Sequence, residues 1–339
     1  MAAGLLCGVL PMVAGAADIT VTSAADSGPG TLRQAIVTAG PGNVIDFSPG
    51  VFTDLSHTIT LSSELVLNKE LTLDASALDS GVTISGNAAT RLVSVTAAGD
   101  LTLRKLTLEG GNSAGAAANG FGGAIYNAGH TKLEDCMVSD SAAVNYGGGI
   151  SSTGSLEVIR STVNGNSAGS LGGGIYHTSP LTLIHATLTE NHAGNKGGGI
   201  YNDFGSALTL RSSIVAGNTA PESTNFFGPF TISSSNLTGG DPRLAPLGNY
   251  GGATLTMPPQ PDSPAIDHGA DESLATDQRG FPRGLGAASD IGAVEAEVGD
   301  YNPDGLALHT RVPIDDTRSE GSTRLNSSQT CASFRSGVV

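Results

Sequence analysis

Tryptophan is absent from this chain, and aromatic residues of all kinds make up only 4% of its 339 positions. That argues against a globular core built around large rings, so aliphatic side chains must supply the buried surface. Basic residues are also scarce: 16 Lys and Arg stand against 31 Asp and Glu, for a net charge of −15. Nucleic-acid binding needs clustered cations and is not expected here. The cysteines are Cys7, Cys136 and Cys331, too scattered for a disulfide framework or a zinc site. Beyond the first residues no apolar run is long enough to cross a bilayer. No HExxH motif occurs, the phrase GNYGG lacks the Lys-Ser/Thr of a phosphate loop, and no Ser-His-Asp set can be argued.

Glycine is abundant, and its placement is periodic. The segments FGGAIYN, YGGGISS, LGGGIYH and KGGGIYN place Ile125, Ile150, Ile175 and Ile200 at a constant step of 25 residues. A fixed step of this size marks a solenoid, in which one repeat cannot bury its apolar face alone. Other columns keep the step. Val138, Val163, Leu188 and Val215 form one, with a two-residue slip at the end. The pairs Thr131/Leu133, Leu156/Val158, Leu181/Leu183 and Leu208/Leu210 form another. A third holds Ser141, Asn166, Asn191 and Asn218, with Gly111 at its head. The Leu-x-Leu pairs alternate with the period of a strand. No 3.6-residue apolar stripe competes with them, and the glycines and β-branched residues disfavour helix. The fold expected is all-β: a parallel β-helix with coils of about 25 residues, an N-terminal cap and a Pro/Gly-rich C-terminal module. Its aliphatic columns point inward, and its Asn column hydrogen-bonds from coil to coil at a turn.

Boundaries follow from composition. Residues 1–16 fit an export signal that lacks its basic start, with an apolar run over 5–13 before Ala14-Gly15-Ala16. Residues 17–60 read as the cap, with a short helix over 32–37 closing the open end of the core. Residues 61–235 are the coil, and 236–295 the closing module, expected to wrap the last coil and cover its edge. From 296 to 339 the period vanishes, and the segment reads as disordered or non-native.

The ordered set SGPGTLRQAI, repeated GGGIYN, GDPRLAPLGNYGGATLT, SPAIDHG, TDQRG and DIGAVE resembles a family of bacterial secreted right-handed parallel β-helix proteins of the choice-of-anchor type. The repeats are also similar to those of polymorphic outer-membrane proteins. The resemblance covers residues 18–295. It implies export, a right-handed coil and display at the cell surface or outer membrane through a variable C-terminal anchor. It brings no catalytic residues with it, and no anchor helix, sorting motif or barrel is recognisable in this chain.

Two columns carry candidate chemistry. One reads Lys105, Asp135, Arg160, His185, and its neighbour Arg104, Glu134, Ile159, Ile184, Arg211. A solvated charge ladder is the simpler reading of both. The sharper one is a substrate cleft at Lys105, Glu134, Asp135 and Arg160, as a polysaccharide lyase or glycoside hydrolase would need. Two carboxylates are too few for a calcium cage, so no cofactor is expected. The aspartates of the closing module, Asp262, Asp267, Asp271, Asp277 and Asp290, are the other place to look for calcium. Turns, N–H bonds and pairing with Arg279 and Arg283 account for them more simply. His185 and His192 are expected to be exposed polar residues. Tyr126, Tyr176 and Tyr201 follow the repeat isoleucines, with Ser151 interrupting, and should face outward. They either shield backbone or bind sugar rings. The functional expectation is an exported structural or adhesion-type protein, monomeric, without a catalytic site, whose partner would be an extracellular glycan or a cell-surface component. A carbohydrate-active enzyme or a noncatalytic glycan-binding protein on the same coil is the alternative.

Overall fold

The computed structural model describes residues 18–53, 58–115, 120–203, 205–232, 235–270 and 274–296. The export signal expected over 1–16, the tail from 297 onward, Cys7, Cys331 and Asp271 lie outside the described residues.

The described chain is a parallel β-solenoid. Every ladder between its named strands is parallel, and successive coils add one strand to each of three stacked sheets. The wide sheet has nine strands: Ile19–Val21, Asn43–Phe47, Glu70–Asp74, Asp100–Arg104, His130–Glu134, Ser155–Ile159, Leu181–Ile184, Leu208–Arg211 and Thr231–Ile232. The isoleucine sheet has seven: Leu65–Leu67, Val93–Val95, Ile125–Asn127, Ile150–Ser152, Ile175–His177, Ile200–Asn202 and Phe226–Phe227. The threonine sheet has seven as well: Thr58–Thr60, Val82–Ser85, Leu106–Glu109, Met137–Ser139, Thr162–Asn164, Thr187–Thr189 and Ile214–Val215. Three two-residue strands (Ala142–Ala143, Ser167–Ala168 and His192–Ala193) form a fourth, short ladder.

The 25-residue step is one circuit of the coil. Ile125 pairs with Ile150, Ile150 with Ile175, and Ile175 with Ile200. Val138, Val163, Leu188 and Val215 pair in the same way. Along the wide sheet, side chains alternate between buried and partly exposed, as the pleat requires. Leu101, Leu103, Leu133, Leu156, Val158, Leu181 and Leu183 are at most 1% exposed and belong to one aliphatic cluster running from Val21 to Val215.

The amide column forms as expected. Asn191 Oδ1 accepts from the Asn166 backbone N–H and from Asn166 Nδ2, both at 3.0 Å. Asn218 Oδ1 accepts from Asn191 in the same two ways. Each Nδ2 also donates to carbonyls of its own and the preceding coil: Asn191 to Thr189 and Val163, Asn166 to Asn164 and Val138. The ladder ends on Asn225, whose Oδ1 accepts from Asn218. The side-chain amides of Asn166, Asn191 and Asn218 are thereby satisfied at this buried turn, each Oδ1 by the preceding coil and each Nδ2 by backbone carbonyls and the next amide oxygen of the ladder.

Glycine is needed where coils bend. Gly172 has a φ of 65°, and a Cβ on Gly173 would collide with the Gly198 carbonyl of the next coil. The expected helix forms as Leu32–Thr38, capped by Thr31, whose side chain accepts from the Gln34 N–H. Leu32, Ala35 and Ile36 are buried, and Arg33 ties the helix to the Ser63 and Glu64 carbonyls and the Asp26 carboxylate.

The closing segment differs from expectation in placement. It runs back along the outer face of the threonine sheet rather than only over the last coil. Gln278 Nε2 donates to the Cys136 carbonyl and its Oε1 accepts from Thr162. The Ala293 N–H reaches Thr187 Oγ1, and Gly292 donates to the Ser212 carbonyl. The outward threonines of this sheet, Thr107, Thr162 and Thr187, are consequently buried. A sheet face rich in hydroxyls is covered by a segment rich in backbone donors, because a proline-interrupted chain has unpaired amides to offer.

Candidate functional site

The Lys105 column is a bend. Lys105, Asp135, Arg160, His185 and Ser212 all have positive φ, between 43° and 55°. Each directly follows the last residue of its strand in the wide sheet and opens the turn toward the threonine sheet. A left-handed residue there breaks the alternation, so Glu134 and Asp135 can both leave the core although they are adjacent.

The four residues of the expected cleft do not share one set of hydrogen bonds: Asp135 and Glu134 bind different cations, and Lys105 acts on the Asp135 carboxylate only through its charge. Arg160 grips the Asp135 carboxylate with two hydrogen bonds, Nε at 2.6 Å and Nη2 at 3.1 Å. Glu134 instead binds Arg104 Nε at 2.8 Å and Lys132 Nζ at 2.6 Å, and Arg104 reaches on to Asp74. Burial pushes the Asp135 carboxyl above its usual range, against the opposing pull of Arg160. Burial also raises Glu134, but its bonds to Lys132 and Arg104 outweigh that and leave it below. Thr254 of the closing segment donates to the Asp135 carbonyl at 3.1 Å, so the column runs beneath that segment. Both carboxylates are thus engaged by cations, Asp135 by Arg160 and Glu134 by Arg104 and Lys132.

His185 requires a correction. It was expected at the surface and is 1% exposed, because the closing segment covers its coil. Burial and the nearby Arg283 and Arg160 guanidiniums push its imidazole down to about 3. His192 is exposed, as expected.

The closing-segment acids act as clasps. Asp277 Oδ1 accepts from the Arg279 and Phe281 amides, and its Oδ2 from Arg279 Nε and the Glu295 amide. Both side chains of the Asp277–Arg279 pair are fully buried. Glu295 accepts from the Gly284, Leu285 and Asp290 amides and pairs with Arg283. An open cleft of about 420 Å³ lies here, lined by Asp267, Leu285, Asp290 and Glu295 among others. Asp290, pushed up to about 6 by burial, accepts from the Asp267 and Ala296 amides. These carboxylates hold turns together, and among the described residues no group of three His, Cys, Asp or Glu side chains is placed to hold a metal ion.

One Ser–His contact escaped the sequence reading. His130 Nδ1 lies 2.7 Å from Ser155 Oγ on the outer face of the wide sheet, and Asp100 is in register beside His130. The adjacent Gly129 and Gly154 amides are already bonded to Asn127, so no donor pair is poised there for an oxyanion.

The aromatic surface is larger than three tyrosines. Phe121, Tyr146, Tyr176, Tyr201 and Phe227 form a continuous stack on the outer flank of the isoleucine sheet. Ring centroids are separated by 5.1, 4.9, 5.3 and 4.8 Å, and interplanar angles are 7°, 22°, 18° and 14°. Tyr146 bridges the gap left by Ser151. Tyr126 stands apart from the stack, with the buried Arg91 guanidinium over its ring at 5.4 Å. The missed members were legible: Phe121 and Tyr146 open their glycine clusters at the same 25-residue step, as do Leu171 and Lys196, and the four are bridged coil to coil.

Stacking decides what this ladder can do. The inner rings cover one another's faces, so a sugar cannot lie flat on Tyr146, Tyr176 or Tyr201. All five rings are half-buried. What remains to solvent is the edge of each ring, where a tyrosine carries its hydroxyl. Burial, with Asp203 and the neighbouring tyrosines, pushes the Tyr176 phenol up to about 12, so it stays protonated and able to donate. Lys196 Nζ sits over the Phe227 ring at 4.6 Å and pairs with Glu222.

Comparison of the chain with protein-family models, with curated proteins and with solved structures returned no match.

Proposed function

We propose that this chain is an exported structural or adhesion-type module, displayed at the cell surface or released outside the cell, and that it works without catalysis. The observation that carries this reading is the five-ring ladder on the isoleucine sheet: a contact surface repeated once per coil. A solenoid suits such a role, because its stacked coils present the same side chain at fixed intervals along an extended surface. The bend-column carboxylates are held in ion pairs, and those of the closing segment hold its own turns. The resemblance to bacterial secreted β-helix proteins supports export, and no helix among the described residues is long and apolar enough to cross a membrane.

Fractionation of the native cell tests the reading. The mature chain is expected in the surface-bound or extracellular fraction, and recovery only from the cell interior would contradict it. Incubation of the purified protein with a polysaccharide panel tests the noncatalytic part. Release of unsaturated or reducing sugars would show an enzyme on the same coil.

A further inference from the structure

We infer that the aromatic ladder is a binding track for an uncharged, extended, diequatorially linked polysaccharide of the cellulose or chitin type, lying parallel to the coil axis with one sugar per coil. This rests on the reading of the chain as an adhesion-type module and names its ligand class.

Spacing is the first support. The five rings repeat at 4.8–5.3 Å. This is the distance between stacked parallel strands. An extended diequatorial hexose chain advances by nearly the same distance per sugar. Successive sugars therefore meet successive rings in phase, which a helical α-linked glucan cannot do.

Chemistry is the second. Such a chain presents C–H groups and hydroxyls along its edges. The ladder presents aromatic edges throughout and phenol hydroxyls at Tyr146, Tyr176 and Tyr201, which can donate and accept. Each contact is weak, and affinity comes from repetition along the track.

Charge is the third. The negative charge of Asp203 acts on both the Tyr176 and Tyr201 phenols. Two cations near the ladder are engaged: Lys196 with Glu222, and Arg91 with Glu64 and the Gly122 carbonyl. A uronate chain would find these two cations already paired, whereas a neutral chain needs no counter-charge.

Titration calorimetry of the full chain with cello- and chito-oligosaccharides of two to eight sugars tests this. Affinity is expected to rise with length to about five sugars, matching the rings, and then level off. Tyr176→Ala and Tyr201→Ala should each weaken pentasaccharide binding by about tenfold. Tyr176→Phe keeps the stack and removes one hydroxyl, so it should fold normally and bind measurably less tightly. Polygalacturonate and maltopentaose should bind more weakly than either neutral diequatorial chain. No binding by cello- or chito-oligomers, no length dependence, or equal binding of maltopentaose by wild type would overturn the inference. Surface fractionation in parallel separates the two claims: a surface-located protein that ignores these sugars leaves the adhesion reading standing without this ligand, whereas an intracellular protein removes the adhesion reading.

Discussion

Asn191 shows how a single side chain can hold three coils at once. Its Oδ1 accepts from the Asn166 amide, while its Nδ2 reaches the Val163 and Thr189 carbonyls and Asn218 Oδ1. It is fully buried, so water cannot replace any of these partners. Asn191→Ala should cost roughly 3 kcal/mol, the penalty for orphaning several buried groups. Denaturant unfolding checks this, and a loss below half that size would show that the turn can open to solvent. Leu183, 0% exposed in the aliphatic column, gives the apolar counterpart. Leu183→Asp would place an unpaired charge in a dry stack and should unfold or fray the coil. Cooperative melting at the wild-type temperature would show that Leu183 does not face inward. Cys136 is buried and its thiol is pushed up to about 12. In a Cys7→Ser/Cys331→Ser background it should therefore resist thiol reagents until the coil unfolds.

At the scale of elements, the closing segment and its contact with the threonine sheet decide the pH response. His185 lies beneath this segment, near Arg160 and Arg283. Its folded pKa, about 3, lies below the ordinary histidine value of 6.5. As pH falls, the unfolded chain takes up that proton first. The stability tied to neutral His185 is complete above 6.5 and is lost progressively between 6.5 and 3. Asp290 works in the opposite direction: its folded value, about 6, exceeds the ordinary 3.8, so protonation favours the folded state as pH drops through that window. Comparing His185→Gln with wild type isolates the histidine. The variant should lose less stability between pH 6.5 and 4.5, by about 2–3 kcal/mol. Parallel pH profiles would show that His185 is solvated. Gln278 bridges the segment to the coil through Cys136 and Thr162. Gln278→Ala should speed amide exchange over 274–296 while leaving the coils protected.

The coils were legible in the sequence because a stacked repeat copies one environment many times. Ile125 to Ile200 and the Asn column declare their neighbours by recurrence alone. The placement of the closing segment was not legible, because its contacts occur once each: Gln278 with Cys136, and Ala293 with Thr187, are separated by more than a hundred residues with no periodic signal. His185 was misplaced for the same reason, since only the covering segment distinguishes it from Arg160. The bend at Lys105 and Asp135 also hid itself, as left-handed backbone at a charged residue has no reliable sequence mark. The ladder was half legible. Tyr176 and Tyr201 stood out, and Phe121 and Tyr146 kept the step in a neighbouring column, whereas Phe227 pairs with Tyr201 one residue off the 25-residue step and outside the glycine clusters.

For the whole molecule, the central claim is that residues one circuit apart are vertical neighbours along a continuous stack. Thr102 and Thr209 occupy one outward column of the wide sheet, linked through Lys132, Glu157 and Thr182. Four strand spacings separate them, roughly 19 Å, although they are 107 positions apart in the chain. Spin labels at Thr102→Cys and Thr209→Cys, in the Cys7→Ser/Cys331→Ser background, measure this distance by pulsed dipolar spectroscopy. A single narrow distribution near 2 nm, within the reach of the label linkers, is expected. A distribution centred beyond about twice that spacing, or one spread without a peak, would contradict the stack.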